Sequence, residues 1–252
     1  LTDVAPEEWK NMGIKQVMIV YKHIPNVNSC GGYPYVDVTN PRTAELFLQT
    51  TYDEYYKRFG KDFGKYVPAS FSDEANMVSR GRNSVPFSNS VEKKFRELNG
   101  YDIRPNLPAV FRNLHGDFEK SAEKIRYDFY YTLHECWIDN FVKPIAKWCD
   151  EHNIAWTGHD VEQGWPQAHA DRIIPSEQTT YEFRQWPGLD LLLCEHLRNN
   201  PMNTDKHEML EVRSAANQFG KERTLCEAYG AGGFDSTLAD YKRLSDYLLV
   251  DG

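Results

Sequence analysis

Short apolar runs that end on polar or acidic residues recur along this chain, and a stretch of helical spacing follows most of them. Lys15 to Tyr21 (KQVMIVY), Val67 to Phe71 leading to Asp73 and Glu74, Ile154 to Thr157 leading to His159 and Asp160, Leu189 to Cys194 leading to Glu195 and His196, and Thr224 to Cys226 leading to Glu227 are the five. Runs of this length read as buried parallel strands, because a strand covered on both faces loses the apolar–polar alternation of a half-solvated one. Strand and helix in alternation imply parallel β/α units. Five units are too few to close an eight-stranded barrel, and the chain stops at Val250-Asp251-Gly252, where a further strand is due. The expectation is a truncated (β/α)8 TIM barrel over residues 1–252, a single partial domain with strands 3 to 7 present and strands 1, 2 and 8 outside it. A doubly wound open sheet is the alternative, but no phosphate-binding glycine turn follows Tyr21.

Helix signals are strongest after Asn40-Pro41, where Asn caps and Pro takes the first helical position. Ala44, Phe47, Leu48, Thr51, Tyr52, Tyr55 and Phe59 recur at helical spacing, and Gly60 is expected to stop the helix. A polar insertion bearing Gly and Pro, at about 80–118, should hold one or two short helices. Phe129, Leu133, Trp137, Phe141, Ile145 and Trp148 then form one stripe, in a long helix that Pro144 should kink. Later helices are expected from Asp205 to Gly220, with Met209, Val212, Ala216 and Phe219 on one face, and from about Thr237 to Val250.

Composition narrows the partners. With 29 Lys plus Arg against 37 Asp plus Glu the net charge is -8, which draws the surface neither to phosphate backbones nor to anionic membranes. No apolar run reaches the roughly 18 residues of a membrane span. Cys30, Cys136, Cys149, Cys194 and Cys226 show no CxxC pair or metal-ligand spacing and read as buried free thiols. The first residues, Leu1-Thr2-Asp3, carry neither a methionine nor a signal peptide, so localisation is not legible there.

Glu74 and Glu227, each at the end of a short apolar strand, suit glycosidic bond cleavage. One carboxyl group must protonate the leaving oxygen while a second activates water or attacks the anomeric carbon. A strand-terminal glutamate can equally be a salt-bridge partner, so neither residue decides the matter alone.

The order of the motifs says more. Tyr35-Val36-Asp37-Val38-Thr39-Asn40-Pro41, the helix ending in Tyr55-Tyr56-Lys57-Arg58-Phe59-Gly60, Phe71-Ser72-Asp73-Glu74, Trp156-Thr157-Gly158-His159, Gly188-Leu189-Asp190 and Gln218-Phe219-Gly220 through Cys226-Glu227 together resemble the catalytic barrel of family 106 glycoside hydrolases, the α-L-rhamnosidases. The resemblance spans nearly the whole chain from about Tyr33. It implies a rhamnoside-cleaving enzyme of polysaccharide breakdown, periplasmic or extracellular, with Glu74 as general acid, held protonated by partial burial and the neighbouring Asp73, and Glu227 as general base. It also implies an inverting route, with the two carboxyl groups roughly 6.5–9.5 Å apart; about 5–5.5 Å would mean a covalent, retaining one. Retaining barrel glycosidases of the β-galactosidase type, which the chain also resembles, place their carboxylates after strands 4 and 7. Counting KQVMIVY as strand 3 puts Glu74 and Glu227 there.

His159, Asp160 and Glu162 crowd one strand end and suit either sugar hydroxyls or a divalent metal. The resemblance implies calcium, with Asp73, Asp160 and Glu162 as oxygen donors; no HExxH or paired-Cys motif supports zinc. Asp190, Glu195, His196, Tyr229, Tyr35 and Asp37 are candidate sugar contacts, and Trp165 and Trp186 candidate stacking platforms. Two other readings remain open: a non-catalytic carbohydrate-binding remnant of such a barrel, and a metal-dependent hydrolase built on Glu74, His159, Asp160 and Glu162.

Overall fold

The computed structural model describes residues 31–77, 84–112, 119–160, 177–192 and 207–251, with single positions at 8, 11, 20, 22 and 24. The expected strand from Lys15 to Tyr21 lies outside them apart from Val20, as do Cys30, Cys194, Trp165, Glu162, Glu195, His196 and Asp205.

Helix α1 (Pro41–Phe47) opens as its sequence implies: the Asn40 side chain accepts from the Arg42 N–H at 3.0 Å, and Pro41 gives up no bond there. It passes through a π-helical turn, Leu48–Tyr52, into α2 (Asp53–Phe59). Gly60 does not stop it. That residue stays right-handed and starts a 3-10 turn, Gly60–Asp62; the chain reverses at Gly64, whose φ is 72°. The insertion holds α3 (Asn89–Asn99), capped by Ser88 and closed by left-handed Gly100, and α4 (Leu107–Phe111).

The apolar stripe becomes α5 (Glu119–Trp137), a π-helical turn Ile138–Val142, and α6 (Lys143–Glu151). All six stripe residues are buried, as a spacing of three or four on one helix face requires. Each contributes roughly 1.5–3 kcal/mol by leaving water. Pro144, where a kink is expected, lies in the first turn of α6 directly after that π turn, whose wider spacing sits where the proline ring would otherwise meet a carbonyl. The helix packs with Val91, Phe95, Ile103 and Trp156 in the main core. Cys136 and Cys149 are buried within it, and burial pushes both thiols up to about 12; Cys226 is half-buried.

The strands are β1 (Ala69–Asp73), β2 (Ala155–His159), β3 (Gly188–Leu191) and β4 (Leu225–Ala228), with α7 (Glu177–Tyr181) before β3, α8 (His207–Gln218) before β4 and α9 (Leu238–Asp251) after it. They form two parallel pairs, β1 with β2 and β3 with β4, and no closed barrel is formed among the described residues. The pairs abut in one direction. Trp186 N–H donates to the Trp156 carbonyl at 3.2 Å, and a Cβ on Gly188 would lie 2.6 Å from the Gly158 carbonyl oxygen. A second core, Tyr181, Leu189, Met209, Val212 and Ala215, lies between β3 and its helices. Helix α8 ends at Gly220, left-handed at φ 63°, and α9 begins with a reciprocal cap between Thr237 and Asp240, each side chain accepting from the other's backbone N–H.

Candidate active site

Register brings the strand-end residues into one layer. Asp73 pairs with His159 across β1 and β2, and Asp190 pairs with Glu227 across β3 and β4. All four stand at or next to the C-terminal end of their strands. One oxygen each of Asp73 and Glu74 lies within 4.8 Å of a His159 nitrogen, and the same holds for Asp190 and Glu227. The two glutamates singled out in the sequence therefore meet at one rim, each with an oxygen within 4.8 Å of a nitrogen of the same imidazole.

His159 is shared by both clusters. Its ring is 2% exposed, against 43% for Glu227 and 69% for Asp73. Its Nε2 lies 2.9 Å from Glu227 Oε2 and 3.5 Å from Asp73 Oδ1. With the proton on Nε2, His159 donates to Glu227 and fixes one of its oxygens; Oε1 makes no hydrogen bond among the described residues. Phe71 packs edge-on against the ring at 5.6 Å.

Glu74 follows β1 directly. Its backbone is left-handed, φ 51°, its N–H donates to the His159 carbonyl at 3.2 Å, and its own carbonyl accepts from Asn76. The expected partial burial is absent, because this turn carries the side chain out of the strand layer and leaves it exposed. Tyr35 and Asp73 line a cavity of about 1040 Å³ beside β1, with Phe47, Tyr52, Phe71 and Trp156 among its walls.

Other expected contacts are engaged with partners within the protein. Asp160 is 1% exposed and turned inward, its Oδ1 accepting from Arg184 at 2.6 Å. Burial raises its carboxyl above the ordinary value while Arg184 opposes the shift. Asp37 accepts from the Thr39 N–H at 3.0 Å and the Thr39 hydroxyl at 2.5 Å, closing the turn before α1. Tyr229, left-handed at φ 67°, reaches Ser245 on α9 at 2.5 Å and packs edge-on against Tyr241. Trp186 precedes β3 and carries the Arg223 guanidinium 5.3 Å from its ring centre, so it sits at the N-terminal ends of the strands, opposite the acidic rim. Trp186→Ala is accordingly expected to lower the unfolding midpoint while leaving kcat/KM within about twofold; a tenfold loss of kcat/KM would place the ring at the substrate.

Of the three calcium donors expected, Asp73 and Asp160 are described and Glu162 lies outside the described residues. Asp160 gives Oδ1 to Arg184, while Asp73 stands in a cluster with Glu74 and His159, a mixed oxygen and nitrogen donor set. Arg184 itself was missed. It sits within Tyr181-Glu182-Phe183-Arg184-Gln185-Trp186, where no motif or periodicity distinguishes it from a surface arginine.

The sequence profile of the α-L-rhamnosidase family, glycoside hydrolase family 106, matches residues 2–252. The chain belongs to this family. Among solved structures it is similar to the rhamnosidase from Novosphingobium sp. PP1Y, with 20% identity and a TM-score of 0.65 over 87% of this chain. At that identity the likeness bears on the fold. The chain spans 20% of that protein's length. No curated protein is similar enough in sequence to match. As a family 106 chain it carries its acidic rim on two consecutive parallel strand pairs, and no described helix is long and apolar enough to cross a membrane.

Proposed function

We propose that this chain supplies the catalytic rim of a glycoside hydrolase that removes α-linked L-rhamnose from polysaccharide, and that β1 to β4 are the fourth to seventh strands of a (β/α)8 barrel. One observation carries the reading: Glu74 and Glu227, 153 positions apart in the chain, each have an oxygen within 4.8 Å of a nitrogen of the same buried imidazole at one end of four parallel strands. Glu74, which follows β1 beside Asp73, is the general acid that protonates the departing oxygen. Glu227, with Oε2 held by His159, is the general base that takes a proton from water through Oε1. Water attacks the anomeric carbon on the face opposite the leaving group, so the sugar is released with inverted configuration. Asp73 and Asp190, on the same layer, are the residues we assign to sugar hydroxyls.

Leaving-group dependence tests the acid. Glu74→Gln should lower kcat on an alkyl α-L-rhamnoside by about 10²–10⁴-fold and much less on a dinitrophenyl rhamnoside, whose phenolate departs without a proton. Proton NMR of the first product should show the β anomer. Equal losses on both substrates would remove Glu74 from the acid role, and an α first product would establish retention.

A further inference from the structure

We infer that Arg184 is a positioning residue that locks the backbone on both sides of His159 and so holds the imidazole against Glu227. The Arg184 side chain is fully buried. Its Nη1 donates to the carbonyl of Gly158 at 2.9 Å, and its Nη2 donates to Asp160 Oδ1 at 2.6 Å. One planar fork therefore grips the residue before His159 and the residue after it. The guanidinium is itself held in place, 4.9 Å from the Trp156 ring centre and 5.8 Å from that of Tyr181.

This grip answers a weakness of the site. Gly158 adopts φ 122°, a conformation open chiefly to glycine, so local backbone preference does not by itself aim His159. At the next residue β2 ends and ladder pairing stops. A buried charge pair is a poor source of net stability, since apolar side chains of similar volume usually serve as well. What it supplies instead is direction: two donors in fixed geometry, which a lysine, with its single ammonium on a flexible stem, does not reproduce. Arg184 touches neither glutamate, so its effect passes through His159.

This role rests on the glycosidase reading for its kinetic consequence but not for its structural one, and the test separates the two. Arg184→Lys is expected to lower kcat on an aryl α-L-rhamnoside about 10–100-fold with KM within about twofold, because misplacing a catalytic group by a fraction of an ångström is felt at the transition state. In long-range proton–nitrogen NMR spectra, the His159 Nε2 signal should move toward that of an imidazole without a carboxylate partner. Should the lysine variant fail to fold, Asp160→Asn combined with Arg184→Met removes both buried charges together and is read in the same way. Wild-type kcat in either folded variant, or an unmoved His159 signal whatever the kcat, overturns the inference. A wild-type protein inactive on every rhamnoside overturns the proposed function, and the His159 signal then decides the role of Arg184 alone.

Discussion

Glu227→Gln should lower kcat on an aryl α-L-rhamnoside by about 10²–10⁴-fold, the span that a positioned general base contributes. Glutamine keeps the size of the side chain and an oxygen that can still accept from His159 Nε2, so the layer formed by Asp73, His159, Asp190 and residue 227 should stay assembled. What is lost is the charge, and with it the ability to take a proton from water at the opposite oxygen. KM should change little, because in this arrangement the carboxylate acts on water more than on the bound sugar. Unlike the loss at Glu74, this one should be insensitive to the leaving group. Azide, which needs no deprotonation to attack, should restore turnover and yield a β-rhamnosyl azide. Retained wild-type turnover, or azide rescue giving the α product, would contradict the assignment of Glu227 as base.

Gly158→Ala should cost roughly 2–5 kcal/mol of stability, from a strained φ and overpacking together. At φ 122° an alanine is already unfavourable, and its Cβ would lie 2.0 Å from the Ser72 carbonyl oxygen and 2.8 Å from the Ser72 carbonyl carbon. Those atoms are backbone, so no side-chain rotation relieves the clash; β1 and β2 must part. They part beside Asp73 and His159, so activity should fall along with the unfolding midpoint, which is expected to drop by roughly 5–20 °C. Gly100→Ala is the internal control. Gly100 is also left-handed, φ 75°, but nothing lies within 4 Å of its Cβ direction, so its cost should be only about 1 kcal/mol with activity intact. Equal effects at the two glycines would show that backbone conformation alone, and not the approach of the strands, constrains position 158.

Local signals were read most reliably where a side chain acts within one turn of its own backbone. The Asn40-Pro41 start, the buried stripe from Phe129 to Trp148 and the end of α8 at Gly220 all stand as their residues implied. The strand ends at Glu74 and Glu227 were legible too, because a polar residue closing an apolar run has to lie where the layer opens. Gly60 was misread: glycine is permitted to end a helix but is equally able to continue as a 3-10 turn, and the chain reverses only at Gly64.

The candidate site divides along the same line. Which strands end in acid, and that those acids should face one rim, follows from alternation along the chain. Which side chains turn toward the rim and which turn into the protein does not. Asp160 follows His159 directly, yet it points inward to Arg184, a partner 24 positions away that no local pattern announces. Trp186 reads as a sugar platform until its place before β3 sets it at the opposite rim, and the bond from Tyr229 to Ser245 of α9 is likewise invisible to local pattern. Period and capping depend on neighbours a few residues apart, so residue order alone carried the elements, their sequence along the chain and the two glutamates. The pairing of His159 with Glu227, the burial of Asp160 and the grip of Arg184 depend on contacts between distant segments, and those exist only once the strands have found their register and the helices have closed over them.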